Sequence, residues 1–457
     1  MKKMLMTVIM FVLVSTTVLA GCGNGGNNKP AASNAPKDAT STPEATKAPE
    51  VKAEPFTVSL RHIQIGEAQK FRKAILDDVV AMTEAEVEGL KFELDAVEDS
   101  VNRFTKLPAE MAAGNPPIIF DLFGGEGDAL KYGAAGRLLD LAPILTDLGL
   151  DGKFLNLDQF TADSKVYGLP IGGNTEGFFY NEELFATLGI KEPTTFEELE
   201  AAAKTLTDNG YTAFASGSKG AWIPLMLVNT LLGRYAGPEA IEGFKTGATK
   251  WNSPEIVAAL SKFEEWVGKG YFTKGELGFE YADMMNEFVG GKAGMMFDGS
   301  WRSSVFSDET QAGALTNKVG FFSMPAVPGG LGDQTYVNGN YSNGYGFSSD
   351  LTDQELAAVK AFIKNLYSED MQLRGLLEDG LLPSIKLSDD ATSKVEDKIV
   401  KKVIEIMAAS GGAFSHYDST VPSAVYKESE DIILKLIAGK ETAESVADKL
   451  QAVQDAQ

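Results

Sequence analysis

From Phe56 onward, short apolar runs of strand length alternate with longer segments of helical periodicity, and this alternation limits the fold more than any other feature. The runs cover residues 56–60, 92–97, 118–123, 177–180, 294–297, 319–324 and 345–347. Between them, Thr195-Phe196-Glu197-Glu198 forms a capping box, with Thr195 at the N-cap and Glu198 three residues on. Phe196, Leu199, Ala203 and Leu206 then fall on one helical face. Ser253-Pro254 opens a second helix with proline in its first turn, Val257, Leu260, Phe263 and Val267 form its stripe, and Gly268 and Gly270 end it. Residues 371–377, 399–407 and 432–436 share the helical spacing. Strands alternating with helices imply an α/β architecture with mainly parallel sheets. No internal repeat is visible.

A segment of another kind stands ahead of this body. Lys2 and Lys3 precede residues 4–20, which are apolar apart from Thr7, Ser15, Thr16 and Thr17. A basic start with a short apolar run is the pattern of a secretory signal, and the run is marginal for spanning a bilayer, which takes about 20 apolar residues. Leu19-Ala20-Gly21-Cys22 closes it and resembles the lipobox of bacterial lipoproteins. That resemblance implies a signal peptide over 1–21, cleavage before Cys22 and a diacylglyceryl group (with palmitate-type chains) on its sulfur; a free cysteine in a tail is the plainer alternative. Two acyl chains hold a protein on a bilayer where one does so only marginally. Residues 22–54 are rich in Gly, Asn, Ala, Pro, Ser, Thr and Lys. This is the composition of a flexible, lipid-anchored linker with a mean reach of roughly 30 Å.

Cys22 is the only cysteine in 457 residues, so the body has neither disulfides nor thiol chemistry. Two histidines and no Asp-x-Asp loop leave little for a metal site, and no cofactor motif stands in the body. Gly21-Cys22-Gly23-Asn24-Gly25-Gly26 satisfies Gly-x-Gly-x-x-Gly, but it follows the signal rather than a strand and binds no dinucleotide. A net charge of −23 repels nucleic acid. The body is too long for one compact core and calls for two.

Several stretches, in order, resemble the bacterial extracellular solute-binding family 1, the class of maltose-type sugar-binding lipoproteins of ABC importers. They are "KLPAEMAAGNPPIIFDLFGG" (106–125), "AAGRLLDLAPIL" (134–145), "YGLPIGGNTEGFFYNEELFATLGIKEPTTFEELEAAAKTL" (167–206), "FVGGKAGMMFDGSW" (288–301) and "GLLPSIK" (380–386). Pro116-Pro117 stands where the family usually has Pro-Asp. The resemblance implies a periplasmic-binding-protein-like type II fold: two α/β lobes joined by a hinge, with an interlobe cleft. It places lobe 1 at 55–167 and 302–352 and lobe 2 at 168–301 and 353–457, with crossings near Tyr167 to Ile171, near Trp301 and in the 350s. It further implies an oligosaccharide ligand, permease subunits as partners, a monomer held on the extracytoplasmic face of the cell membrane, and no catalysis.

Open α/β sheets bind ligands beyond the carboxyl ends of their strands. The loops placed there carry His62, Gln64, Asp121, Phe123, Glu126, Glu176, Trp222, Asp298, Trp301, Tyr341, Asn343, His416, Tyr417 and Asp418. Aromatic faces beside short polar groups suit a pyranose, which offers C–H-rich faces and a hydroxyl rim whose partners must be satisfied once buried. Plainer readings stand beside these. Trp301 fits hinge packing, Asp298 fits an N-cap, both histidines fit structural roles, and the Met284-Met285 and Met295-Met296 pairs fit the core. The competing functions are a secreted carbohydrate-active enzyme and a carrier of another solute, such as a peptide, polyamine or phosphodiester.

Overall fold

The structure is a computed structural model that describes residues 54–66 and 69–457. The expected signal peptide 1–21, Cys22 and the linker up to residue 53 lie outside the described residues. Among the described residues, thirteen strands follow in chain order: β1 (Phe56–His62), β2 (Leu90–Ala96), β3 (Ile119–Phe123), β4 (Thr161–Ala162), β5 (Lys165–Val166), β6 (Leu169–Pro170), β7 (Asn174–Asn181), β8 (Thr212–Ala215), β9 (Ala293–Gly299), β10 (Val319–Phe322), β11 (Val337–Asn340), β12 (Asn343–Phe347) and β13 (Ala413–Phe414). Every apolar run singled out above coincides with one of them, within a few residues at each end.

They form two main sheets. The first has the order β2-β1-β3-β12-β6, the second β13-β11-β7-β9-β8 with β10 also on β7. In the first, β1 runs parallel to β2 and β3, but β12 is antiparallel to both β3 and β6. In the second, β7 is antiparallel to β9, β10 and β11, while β8 is parallel to β9 and β13 is parallel to β11. The expected parallel sheets are therefore mixed. The cause lies in where the chain crosses. β6 ends at Pro170 and β7 begins at Asn174; β11 ends at Asn340 and β12 begins at Asn343. A strand that starts at a crossing must run back from the edge at which β3 ends, so it enters its sheet antiparallel.

The two crossings touch. A Cβ on Gly173 would come within 2.4 Å of the Tyr341 ring, so only glycine lets them pass so closely. Tyr367 Oη donates to the carbonyls of Leu169 (3.1 Å) and Pro170 (2.9 Å), and Ser384 Oγ donates to Pro170 O at 2.7 Å. The Gly-Leu-Leu-Pro-Ser stretch thus braces the hinge, with Gly173 and Leu382 exchanging backbone bonds.

Each sheet carries its own core. Val58, Leu60, Ile75, Val79 and Phe362 belong to the first; Phe178, Phe214, Leu206, Met295, Met296 and Trp266 belong to the second. The capping box at Thr195 forms as expected, and the helix Phe196–Asp208 buries Leu199, Ala203 and Leu206. Met284, Met295 and Met296 are core residues and Met285 packs against that core.

Two segments depart from the expected division. Residues 302–327 stay with the second core, because the turn Ser300–Ser307 folds back and sets Phe306 against Phe179 at 5.0 Å and Phe288 at 5.7 Å. Trp301 is therefore not a crossing point. The helix Asp353–Leu366, started by a Thr352/Glu355 capping box, joins the first core instead of the second, with Phe362 against Phe92 and Tyr345. The last passage falls at the helix Lys398–Ala409 rather than in the 350s. Val400 belongs to the first core and Ile399 and Val403 to the second.

Candidate functional site

The carboxyl ends of β1 and β3, the two crossings, the start of β7, and the loops after β9 and β13 converge between the lobes. His62 ends β1 and Gln64 follows it; both are buried, and the Nδ1 of His62 and both amide atoms of Gln64 have no hydrogen-bond partner. Asp121 is completely buried on β3 and accepts from Asn343 Nδ2 at 3.1 and 3.2 Å. At the hinge, Asn174 Oδ1 and Asn340 Nδ2 are also buried without partners. Such atoms are costly inside a protein, so their gathering around one junction marks a place built to receive polar groups.

On the second lobe, one hydroxyl ties several of the expected residues together. Tyr281 Oη donates to Asp298 (2.8 Å) and accepts from Trp301 Nε1 (2.8 Å) and Arg302 Nε (2.9 Å). Trp222 stands edge-on to the Tyr281 ring at 4.7 Å and remains 37 % exposed. The Trp301 ring in turn meets His416 at 6.3 Å. His416 Nε2 lies 3.6 Å from Glu176 Oε1, beyond hydrogen-bond length, and has no other partner. Glu176 accepts from Asn338 Nδ2, which also donates to Thr230 Oγ1 at 2.9 Å.

Burial sets the charge of this junction. It pushes the Glu176 carboxyl well above the usual range, helped by Asp298 and Asp418 and opposed by the Asn338 amide. Asp121 and Asp298 are raised for the same first reason. Burial lowers His62, and takes His416 down to about 4. Asp418 goes the other way: burial alone would raise it, but the Arg103 guanidinium holds it below the usual range. The arginines nearby are all paired. Arg61 binds Asp95 and Glu110, Arg72 binds Asp379, Arg103 binds Asp128 and Asp418, and Arg302 binds Asp298. What remains on offer is amide, neutral imidazole, carboxyl and ring face, a set that suits uncharged polar ligands.

Four of the expected residues sit differently from the reading above. Glu126 stays exposed on the loop after β3. Asp298 is not an N-cap; it is consumed by Tyr281, Arg302 and the Gly299 amide inside its own lobe. Tyr417 belongs to the second core, edge-on to Trp251 at 5.8 Å. Phe123 offers its ring to the Arg103 guanidinium, 4.0 Å away, rather than standing free. Tyr341 lies over Gly173, and burial raises its hydroxyl to about 12. Sequence reasoning passed over Tyr281, Gln159, Asn338, Asn340 and Arg103. The alternating amides of Val337-Asn338-Gly339-Asn340 were the one usable signal, since polar residues alternating with glycine in a strand sit poorly in an ordinary core.

The family model "Bacterial extracellular solute-binding protein" matches residues 66–373. The maltodextrin-binding protein MdxE of Bacillus subtilis (strain 168) is 30% identical over 237 residues, which cover 49% of this chain and 51% of that protein. The chain thus spans about half the length of the curated relatives it matches first. A solved chitin oligosaccharide binding protein superposes with a TM-score of 0.81 at 44% identity, covering 87% of this chain and 98% of the other. Maltose-bound T. maritima MalE3 superposes with a TM-score of 0.71 at 19% identity, covering 88% and 99%, a likeness of fold alone.

Proposed function

Because the chain belongs to the bacterial extracellular solute-binding protein family, we propose that it captures an oligosaccharide between its lobes and hands it to the membrane subunits of an ABC importer, altering no bond in the sugar. The observation that carries this reading is the set of buried polar atoms without partners, on both lobes and the hinge, beside the exposed edge of Trp222 and the Trp301 ring. A sugar supplies what those atoms lack, because each hydroxyl can donate and accept at once. The ring faces take its apolar side. A ligand that bridges both lobes favours their closed arrangement by its differential affinity for it.

Among oligosaccharides, those derived from chitin are the first candidates, because the 44%-identical structural relative is named for them. The neutral character of the junction supports an uncharged sugar of this kind. His62, Gln64, Asn174, Glu176, Trp222, Trp301, Tyr341 and His416 are the side chains proposed to contact it. Cys22 is proposed to carry the lipid that holds the mature protein, a monomer, on the outer face of the membrane. Thermal-shift and calorimetric titration with chitin-, malto-, xylo- and cello-oligosaccharides tests the reading. A saturable rise in stability with one sugar series, and no product after long incubation, supports it. No response to any series, or release of shorter sugars, overturns it.

A further inference from the structure

One turn of the first lobe reaches across to the second. Between the short helix Asp99–Val101 and the helix Leu107–Ala113, residues Asn102–Lys106 form a π-turn, the wider winding that often marks functional positions. It projects two consecutive side chains over the interlobe boundary. The Arg103 guanidinium lies over the Phe123 ring and pairs with Asp128 at 2.8 Å, both on its own lobe, and also with Asp418 on the other. The Phe104 ring stacks on Tyr426 of the second lobe at 5.9 Å with 20° between planes, yet Phe104 is 51 % exposed. Beside them Gln159 Nε2 donates to Ser415 Oγ at 2.8 Å.

The two carboxylates that hold Arg103 are unequal. Asp128 is buried on the same lobe and stays with the guanidinium whatever the lobes do. Asp418 is 21 % exposed and sits two residues from His416. Separating the lobes therefore leaves Arg103 neutralised by Asp128 and lets Asp418 take up water. No buried charge is stranded in either state, so the cost that makes most buried ion pairs hard to break is absent. Phe104, half exposed while stacked, gives up its ring contact on leaving Tyr426 but strands no buried polar group.

We propose that Arg103 and Phe104 form a reversible clasp that couples ligand capture to lobe closure, with Asp418 as a positioning residue that holds the His416 loop once the clasp engages. This rests on the reading of the chain as a sugar carrier. A second cross-lobe pair, Lys70 with Asp308, carries part of the same salt dependence.

The test uses the mature chain with Cys22→Ser, chitotriose as the probe, and the variants Asp418→Asn and Phe104→Ala. Release is followed by tryptophan fluorescence in stopped flow. Each variant should release chitotriose about tenfold faster with little change in the association rate, the usual signature of a lost closed-state contact. Raising NaCl from 50 mM to 1 M should speed release from wild type more than from Asp418→Asn, because salt weakens a partly exposed pair. A merely structural role would leave that salt difference at zero. Unchanged release from both variants, with wild type binding normally, overturns the clasp. If wild type binds none of the sugar series, the sugar reading fails, and the clasp is then judged by crosslinking Phe104→Cys with Tyr426→Cys using a short bismaleimide. Efficient intramolecular crosslinking at 50 mM NaCl that falls in Asp418→Asn supports it, and crosslinking indifferent to Asp418→Asn overturns it.

Discussion

Replacing Tyr281 by Phe removes one oxygen and should disturb both stability and binding. The hydroxyl donates to Asp298, which is fully buried, and accepts from Trp301 Nε1 and from Arg302, which is 6 % exposed. The neutral bond to Trp301 is worth about 1 kcal/mol, and a bond to a charged group about 1.5–3 kcal/mol. Asp298 and Arg302 keep each other at 3.4 Å, so the low end of that range applies to each. The sum is about 4 kcal/mol, an upper figure because the three bonds share one atom and do not add freely. With a urea slope near 3 kcal/mol/M for a chain of this size, the unfolding midpoint should fall by about 1 M. Trp301 also loses the acceptor that fixes its ring, so affinity for the sugar found in the panel should drop about tenfold, or ~1.4 kcal/mol. Urea unfolding followed by circular dichroism and isothermal titration read the two effects separately. A midpoint within ~0.3 M of wild type, together with unaltered affinity, would refute the assignment of Tyr281 as the hub that orders this lobe's side of the site.

Three further outcomes are expected. Trp222→Ala should weaken sugar binding at least about tenfold and leave the melting temperature nearly unchanged, since the ring is partly exposed and packs only edge-on; unaltered affinity by calorimetry makes Trp222 structural. Gly173→Ala drives a Cβ to 2.4 Å from the Tyr341 ring. It should cost about 1–3 kcal/mol of stability and reduce binding, read by urea unfolding and titration. Burial holds His416 at about 4, below its ordinary 6.5, so the unfolded chain takes up a proton that the folded chain refuses. Its contribution is therefore complete above pH 6.5 and is lost as pH falls toward 4, by up to about 3 kcal/mol. Wild type should lose more stability than His416→Gln across that window, and equal losses in urea unfolding sink the assignment.

Seven strands were legible because an apolar run marks each of them, and so were the capped helix at Thr195 and the helix opened by Pro254; β8 and β11, with the two-residue strands β4, β5, β6 and β13, are too short or too polar to show such a run. The division between lobes was legible only in part. The helix Asp353–Leu366 and the turn after Gly299 have amphipathic patterns that fit either core; which core they join depends on Phe362 finding Phe92 and on Phe306 finding Phe179. Those are tertiary facts without a local trace. The site divides the same way. Trp222, Trp301 and His416 stand out as aromatic residues in glycine-rich loops. Tyr281 and Arg103 lie inside ordinary helical pattern and acquire meaning only from partners 17 and 315 residues away.

The placement of β12 carries a consequence for how the chain matures. This strand fills the position between β3 and β6, yet some 220 residues separate Asn343 from its partner Asp121. A polypeptide emerging from its N-terminus presents β3 with an unsatisfied edge while most of the second sheet, β7 to β11, is still being delivered. Closing so long a loop delays the first lobe. The half that emerges first thus stays open until β12 and the helix Asp353–Leu366 arrive, and the hinge is sealed only when the final third of the chain has been delivered.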